Sequence, residues 1–150
     1  MKVKEYLENT IFLLICLILN QAVEYYAFNS SFGSFLNKLN PFFGKMLSQN
    51  VNFAFGIPLP HLFAYVLYLI VLIIFISWYL KNTKNFFQRF GFWLILSGAI
   101  SNLFDRFQFG YVRDFIYAFW GNIFNLADMM IVLGVIFIIF AEQNKKIIKS

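Results

Sequence analysis

Four long apolar runs, at about residues 10–28, 62–80, 91–107 and 124–140, are separated by polar stretches. Each run approaches the roughly 20 apolar residues that a helix needs to cross a bilayer, so the pattern predicts four transmembrane helices. The one long connection lies between the first two runs, at about residues 29–60. Within it the period changes. Val51, Phe53, Phe55 and Ile57 alternate with Asn50, Asn52, Ala54 and Gly56, the two-residue repeat of a strand. The expected fold is an all-α membrane protein with four transmembrane helices and a small β element in the first long loop. It forms a single domain over residues 1–150, because four crossings leave no room for a separate soluble unit.

Composition supports this class. The chain is 61% hydrophobic and 13% charged, against about 25% charged in an average soluble domain. The basic residues then orient it. Lys2, Lys4, Lys81, Lys84, Arg89, Lys145, Lys146 and Lys149 flank one set of helix ends, and only Lys38, Lys45, Arg106 and Arg113 fall in the alternate connections. The positive-inside rule therefore predicts cytoplasmic termini and an external β element. The net charge of +5 reads as topology, and no basic run interleaved with aromatics points to nucleic acid. The first run is expected to stay as a helix, since no small-x-small exit site follows it and Asn20, Gln21 and Glu24 interrupt its far end. Cys16 follows Ile15, which is too large for a lipid-attachment box, and reads as a buried apolar side chain. A single cysteine excludes an internal disulfide.

Candidate chemistry gathers at the external end. Asn102, Asp105 and Arg106 close the third run, Asn125 and Asp128 open the fourth, and Asp114 lies in the short loop between them. An ionisable group inside a membrane segment is costly, and such groups mark functional sites. Two carboxylates brought close together cannot comfortably both ionise, so one holds a proton while the other can take one from water. Asn102 and Asp105 stand one helical turn apart, as do Asn125 and Asp128, so each amide is expected to orient the acid on its own helix face. The structural alternatives are an interfacial ion pair for Asp105 and Arg106, and for Asp128 a buried acid satisfied by its neighbours. The strand either closes a loop as an ordinary hairpin or offers its polar face to an extended peptide. His61 is expected to be a solvated interfacial residue, with no serine partner in view. Trp78, Trp93 and Trp120 read as interfacial anchors.

Ser97-Gly-Ala-Ile-Ser-Asn-Leu-Phe-Asp-Arg106, Gly110-Tyr-Val-Arg-Asp-Phe-Ile116 and Phe124-Asn-Leu-Ala-Asp128 resemble successive motifs of the prolipoprotein signal peptidase family, also called signal peptidase II. Asn50-Val-Asn-Phe-Ala-Phe55 is similar to that family's external strand motif, and Asn20-Gln21 takes the place of its first-helix Asp-Gln. The resemblance covers essentially the whole chain, in order. It implies an aspartic intramembrane protease of the bacterial cytoplasmic (inner) membrane, with its site at the external face. Such an enzyme removes the signal peptide of a diacylglyceryl-modified prolipoprotein by cutting before the lipidated cysteine. The resemblance further implies Asp114 and Asp128 as the catalytic dyad and Asn50 and Arg106 as residues that help hold the substrate. Asn125 would orient the dyad, and Asn102 with Asp105 would support the site. It implies no metal or organic cofactor. The implied partners are lipid-modified precursors and membrane phospholipids, with no nucleic acid, for a protein acting as a monomer.

The chain departs from the family pattern in four places. Asn20 stands where the family has an aspartate, Glu24 where it has a lysine, Asn52 where it has a glycine, and Ser101 where it has another glycine. Other readings therefore stand beside the protease: a divergent, weak or silent paralogue that binds lipidated substrates, or a small transport subunit. A transport path would favour ionisable groups at mid-depth, whereas residues 70–75 and 131–139 are uniformly apolar. A metal-dependent hydrolase is a further alternative, although no histidine joins the acids.

Overall fold

The first three apolar runs each lie within a longer helix, and the fourth lies in a helix from residue 126 onward. The computed structural model describes residues 3–29, 34, 38, 47–52, 60–82, 85–117 and 123–149. Four long helices organise the described residues: α1 (Val3–Asn29), α2 (His61–Asn82), α3 (Phe86–Phe109) and α4 (Leu126–Lys149). Their lengths of 22 to 27 residues correspond to about 33 to 40 Å, enough to cross a bilayer. Three of them contain a stretch that is both long and apolar enough to span, namely Leu7–Asn29, Leu62–Lys81 and Leu126–Gln143. The third expected span differs. Helix α3 is long enough, but it carries Gln88, Ser97, Ser101, Asn102 and Asp105, all buried. Its polar groups are sheltered by protein, since α3 packs against both α4 and α1.

Burial is inverted relative to a soluble domain. Asn20, Glu24, Gln88, Ser97, Asp105 and Asn125 are wholly buried, while Ile18, Ile74, Leu62 and Phe140 are largely exposed. That is the arrangement lipid favours: apolar side chains face outward and polar groups find partners between helices. Helices α3 and α4 meet through small residues. A methyl group built on Gly91 would lie 2.5 Å from the Gly134 carbonyl oxygen, and one built on Gly134 would lie 2.5 Å from that of Gly91, so the two backbones touch. On the other side of α3, Phe92 stacks on Tyr79 and Phe75 of α2 with ring centroids 3.7 and 4.9 Å away.

The ends of α3 are set by local chemistry. Asn85 accepts a hydrogen bond from the Gln88 backbone N–H while the Gln88 side chain returns one from the Asn85 N–H, a capping box. Gly110 ends the helix with φ of 80°, a left-handed conformation that suits a residue without a Cβ. The chain turns there into β2 (Val112–Asp114), which pairs antiparallel with β1 (Ser48–Asn50). Strands β3 (Ile116–Tyr117) and β4 (Ile123–Phe124) then form a second antiparallel pair that delivers the chain to α4.

Of the strand expected from the alternation at residues 50–57, Asn50 is the last residue of β1, which begins before it at Ser48. The Asn50 side-chain oxygen accepts the Asn52 N–H at 3.0 Å, a local turn that ends the strand. Residues 53–57, like Trp120, lie outside the described residues. The fourth apolar run was expected to be helical from about residue 124, but Phe124 pairs in β4 and the helix begins at Leu126.

Candidate active site

Asp114 ends β2 and is 1% exposed. Register explains one of its partners. Asn50 lies opposite Val112, so its side chain is the diagonal neighbour of Asp114 on the same sheet face. Its Nδ2 donates to Asp114 Oδ2 at 2.9 Å. The other oxygen, Oδ1, accepts Asn125 Nδ2 at 3.1 Å.

Asp128 lies in the first turn of α4. Asn125 caps that helix: its Oδ1 accepts the Asp128 N–H at 2.9 Å, and Asp128 Oδ2 accepts the Asn125 N–H at 3.3 Å. The second Asp128 oxygen accepts Asn102 Nδ2 at 2.8 Å, and Asn102 Oδ1 in turn accepts Asn125 Nδ2 at 2.8 Å. Two neutral amides thus join the two acids in a continuous chain, Asp114 to Asn125 to Asn102 to Asp128. Because Asn125 must present its oxygen to the helix N–H, its NH₂ group is turned toward Asp114 and Asn102. The cap therefore sets the polarity of the whole chain.

Burial pushes the Asp114 carboxyl up to about 7, and the Asp128 charge pushes the same way. The hydrogen bonds from Asn50 and Asn125 and the Arg106 charge oppose the shift without cancelling it. The arrangement holds a proton on a carboxyl near neutral pH beside a second carboxylate, the prerequisite for shared acid–base chemistry. Among the described residues, no three histidine, cysteine, aspartate or glutamate side chains gather as metal ligands would.

Two candidates take other partners. Asp105 was expected to be oriented by Asn102 from the same helix face, or to pair with Arg106, and does neither. It faces Arg113 of β2, with Asp105 Oδ1 2.7 Å from Nη2 and Oδ2 3.0 Å from Nε. Asp105 Oδ2 also accepts the Arg113 backbone N–H at 3.1 Å. A bidentate guanidinium pair is stronger than any bond an amide one turn away can offer, and Asn102 is left to serve Asp128 across the helix interface. Arg106 donates to two backbone oxygens, Asn102 O at 3.2 Å and Asn52 O at 3.0 Å, and so ties the segment after β1 to α3.

A second polar network surrounds Arg113, and of its members only Asp105 belonged to the sequence-predicted site. Its Nη2 donates to Gln21 Oε1 at 2.6 Å and Glu24 Oε2 at 3.0 Å. Gln21 Nε2 donates to Asp105 Oδ1 at 3.0 Å and to Ser101 Oγ at 3.0 Å. Asn20 Nδ2 reaches Glu24 Oε1 at 2.8 Å and also the Ser101 hydroxyl. Burial works against the Arg113 charge, but the Asp105 hydrogen bonds and the nearby carboxylates outweigh it and hold the guanidinium above its usual value. The signal for this network lay in the first apolar run, where Asn20 and Glu24 share a helix face. The partner of Glu24 on β2 lies 89 residues away in sequence, beyond any local pattern.

Residues 12–143 match the family model described as Signal peptidase (SPase) II. A lipoprotein signal peptidase of Bartonella tribocorum is 40% identical over 83% of this chain and 79% of its own length. That of Allorhizobium ampelinum is 35% identical over 88% and 85%, and that of Thermodesulfovibrio yellowstonii 30% identical over 92% and 96%. Two solved bacterial membrane enzymes share the fold. One superposes with a TM-score of 0.73 at 23% identity, covering 95% of this chain and 92% of its own. The other gives 0.70 at 26% identity, over 89% and 91%.

Proposed function

Because this chain belongs to the signal peptidase II family, we propose that it removes signal peptides from lipid-modified bacterial prolipoproteins, cutting the peptide bond before the diacylglyceryl-modified cysteine. Asp114 and Asp128 form the catalytic dyad. The observation that carries this reading is the amide chain joining the two carboxylates, with Asp114 pushed up to about 7. The active form holds one proton between the two carboxyls.

In this mechanism Asp128 takes a proton from a water as the water oxygen attacks the scissile carbonyl carbon. Asp114 gives its proton to the carbonyl oxygen, which yields a neutral tetrahedral diol. Asp128 then returns its proton to the leaving nitrogen, Asp114 recovers one from a hydroxyl, and the carbon–nitrogen bond breaks as the carbonyl reforms. Both carboxyls end as they began, and no step draws on a metal or organic cofactor. Asn125 and Asn102 orient the acids, Asn50 holds Asp114, and Asp105 supports β2. Asn50 and Arg106 flank the dyad beside Asn52, where an extended substrate strand lies.

The protein crosses the bacterial inner membrane four times, α3 included, with both termini in the cytoplasm and the dyad at the external face. The eight basic residues at one set of helix ends support that orientation. It acts as a monomer on precursors presented by the surrounding phospholipids. Incubating the purified protein with a diacylglyceryl-modified precursor tests the reading, with a released signal peptide as the expected product. Binding of the precursor without any release would favour a silent, substrate-binding paralogue.

A further inference from the structure

A buried arginine beside an aspartate of the dyad needs a physical reason, because desolvating a guanidinium is costly unless carboxylates surround it. Arg113 is 4% exposed and precedes Asp114 directly. Strand alternation sends its side chain toward α1 and α3, while that of Asp114 turns toward Asn50 and Asn125. Asp105 does two things at once: it pairs with the guanidinium through both oxygens, and it accepts the backbone N–H of residue 113 at 3.1 Å. The second bond fastens β2 to α3 one residue before Asp114.

We propose that Arg113 is a positioning residue for Asp114: it is the buried cation that holds the Asp105 carboxylate against the backbone of β2, and α1 can supply that cation in its place. The proposal rests on the dyad reading of Asp114 and Asp128. Its second half follows from the position of α1. Glu24 Oε2 lies 3.0 Å from the Nη2 atom that meets Asp105, and Gln21 of the adjacent turn already reaches Asp105 Oδ1 at 3.0 Å. A lysine side chain at position 24 therefore falls within reach of Asp105, and it also removes one of the two carboxylates that share the single guanidinium. The backbone bond from residue 113 survives any side-chain change there. What it needs is an acceptor held in place.

The test compares the parent, Arg113→Leu, the double variant Glu24→Lys/Arg113→Leu, and Asp114→Asn. kcat and KM are measured on a diacylglyceryl-modified precursor in detergent, with thermal unfolding in parallel. Arg113→Leu is expected to lower kcat by about tenfold to a hundredfold, the scale of a misplaced reacting group, with KM held within about twofold. The double variant is expected to recover kcat to within about threefold of the parent, the non-additivity of residues in one network. Parental kcat in Arg113→Leu, or a defect confined to KM, overturns the proposal. So does a double variant that unfolds like the parent yet keeps the low kcat of Arg113→Leu. Where either variant fails to fold, Arg113→Lys decides, because it keeps a cation on Asp105. It should stay within about threefold of parental kcat, and a loss of about tenfold or more overturns the proposal. Asp114→Asn separates the two readings. Cleavage by that variant removes the dyad itself, whereas an inactive Asp114→Asn beside a fully active Arg113→Leu removes only the positioning role.

Discussion

In one polar network Asp114 and Asp128 are joined by the amides of Asn102 and Asn125; in the other, one residue along β2, Asp105 and Glu24 close on the guanidinium of Arg113. Both networks are buried, and both tie strand to helix. They differ in what neutralises the acid. An amide orients a carboxylate without cancelling its charge, so burial and the second acid drive a proton onto Asp114. A guanidinium cancels the charge and fixes the geometry, which makes Asp105 a strut. The partner therefore separates an acid that can hold a labile proton from a neighbouring acid fixed in an ion pair.

The largest expected effect breaks the first network at its acids. Asp114→Asn and Asp128→Asn should each lower cleavage of a lipidated precursor on the order of 10³-fold or more, as loss of a general acid or base does, while the thermal unfolding profile in detergent stays near the parental one. Retained cleavage by either variant would sink the dyad. Breaking the second network should show in stability as well as in activity. Asp105→Ala strands Arg113 and removes the acceptor of its backbone N–H, at a cost of about 3 to 5 kcal/mol, read as a large drop in unfolding temperature before activity is considered. A variant as stable as the parent would show that Asp105 is no strut.

Asn125→Ala sharpens the contrast at an intermediate level. It removes the donor to Asp114 and the cap on Asp128, and hydrogen bonds to charged groups are worth about 1.5 to 3 kcal/mol. Activity should fall by about tenfold to a hundredfold, more than stability falls. The smallest effect concerns pH. The raised Asp114 value means that the folded protein binds this proton more tightly than the unfolded chain does. Its contribution to stability is fully present below the ordinary aspartate range and is lost as pH rises through about 7. Activity should decline over the same alkaline limb. Because the Asn50 hydrogen bond pulls the Asp114 value down, Asn50→Leu should move that limb to higher pH. A limb that stays in place, or moves lower, would argue that Asn50 does not act on Asp114.

The four apolar runs were legible as helices because apolar length is a local property, written residue by residue. The gathering of Asn102, Asp114, Asn125 and Asp128 at one end was legible too, since helix order alone brings alternate connections to the same side. What tertiary structure decided was the choice of partners. Asn102 and Asp105 sit on one helix face and suggest a local pair, yet Asn102 bonds Asp128 and Asp105 bonds Arg113. Glu24 looks from sequence like an acid misplaced in an apolar run, and it proves to be a carboxylate closing on a strand arginine. In a low-dielectric interior each buried polar group takes the strongest partner within reach, and reach is set by how helices pack rather than by spacing along the chain.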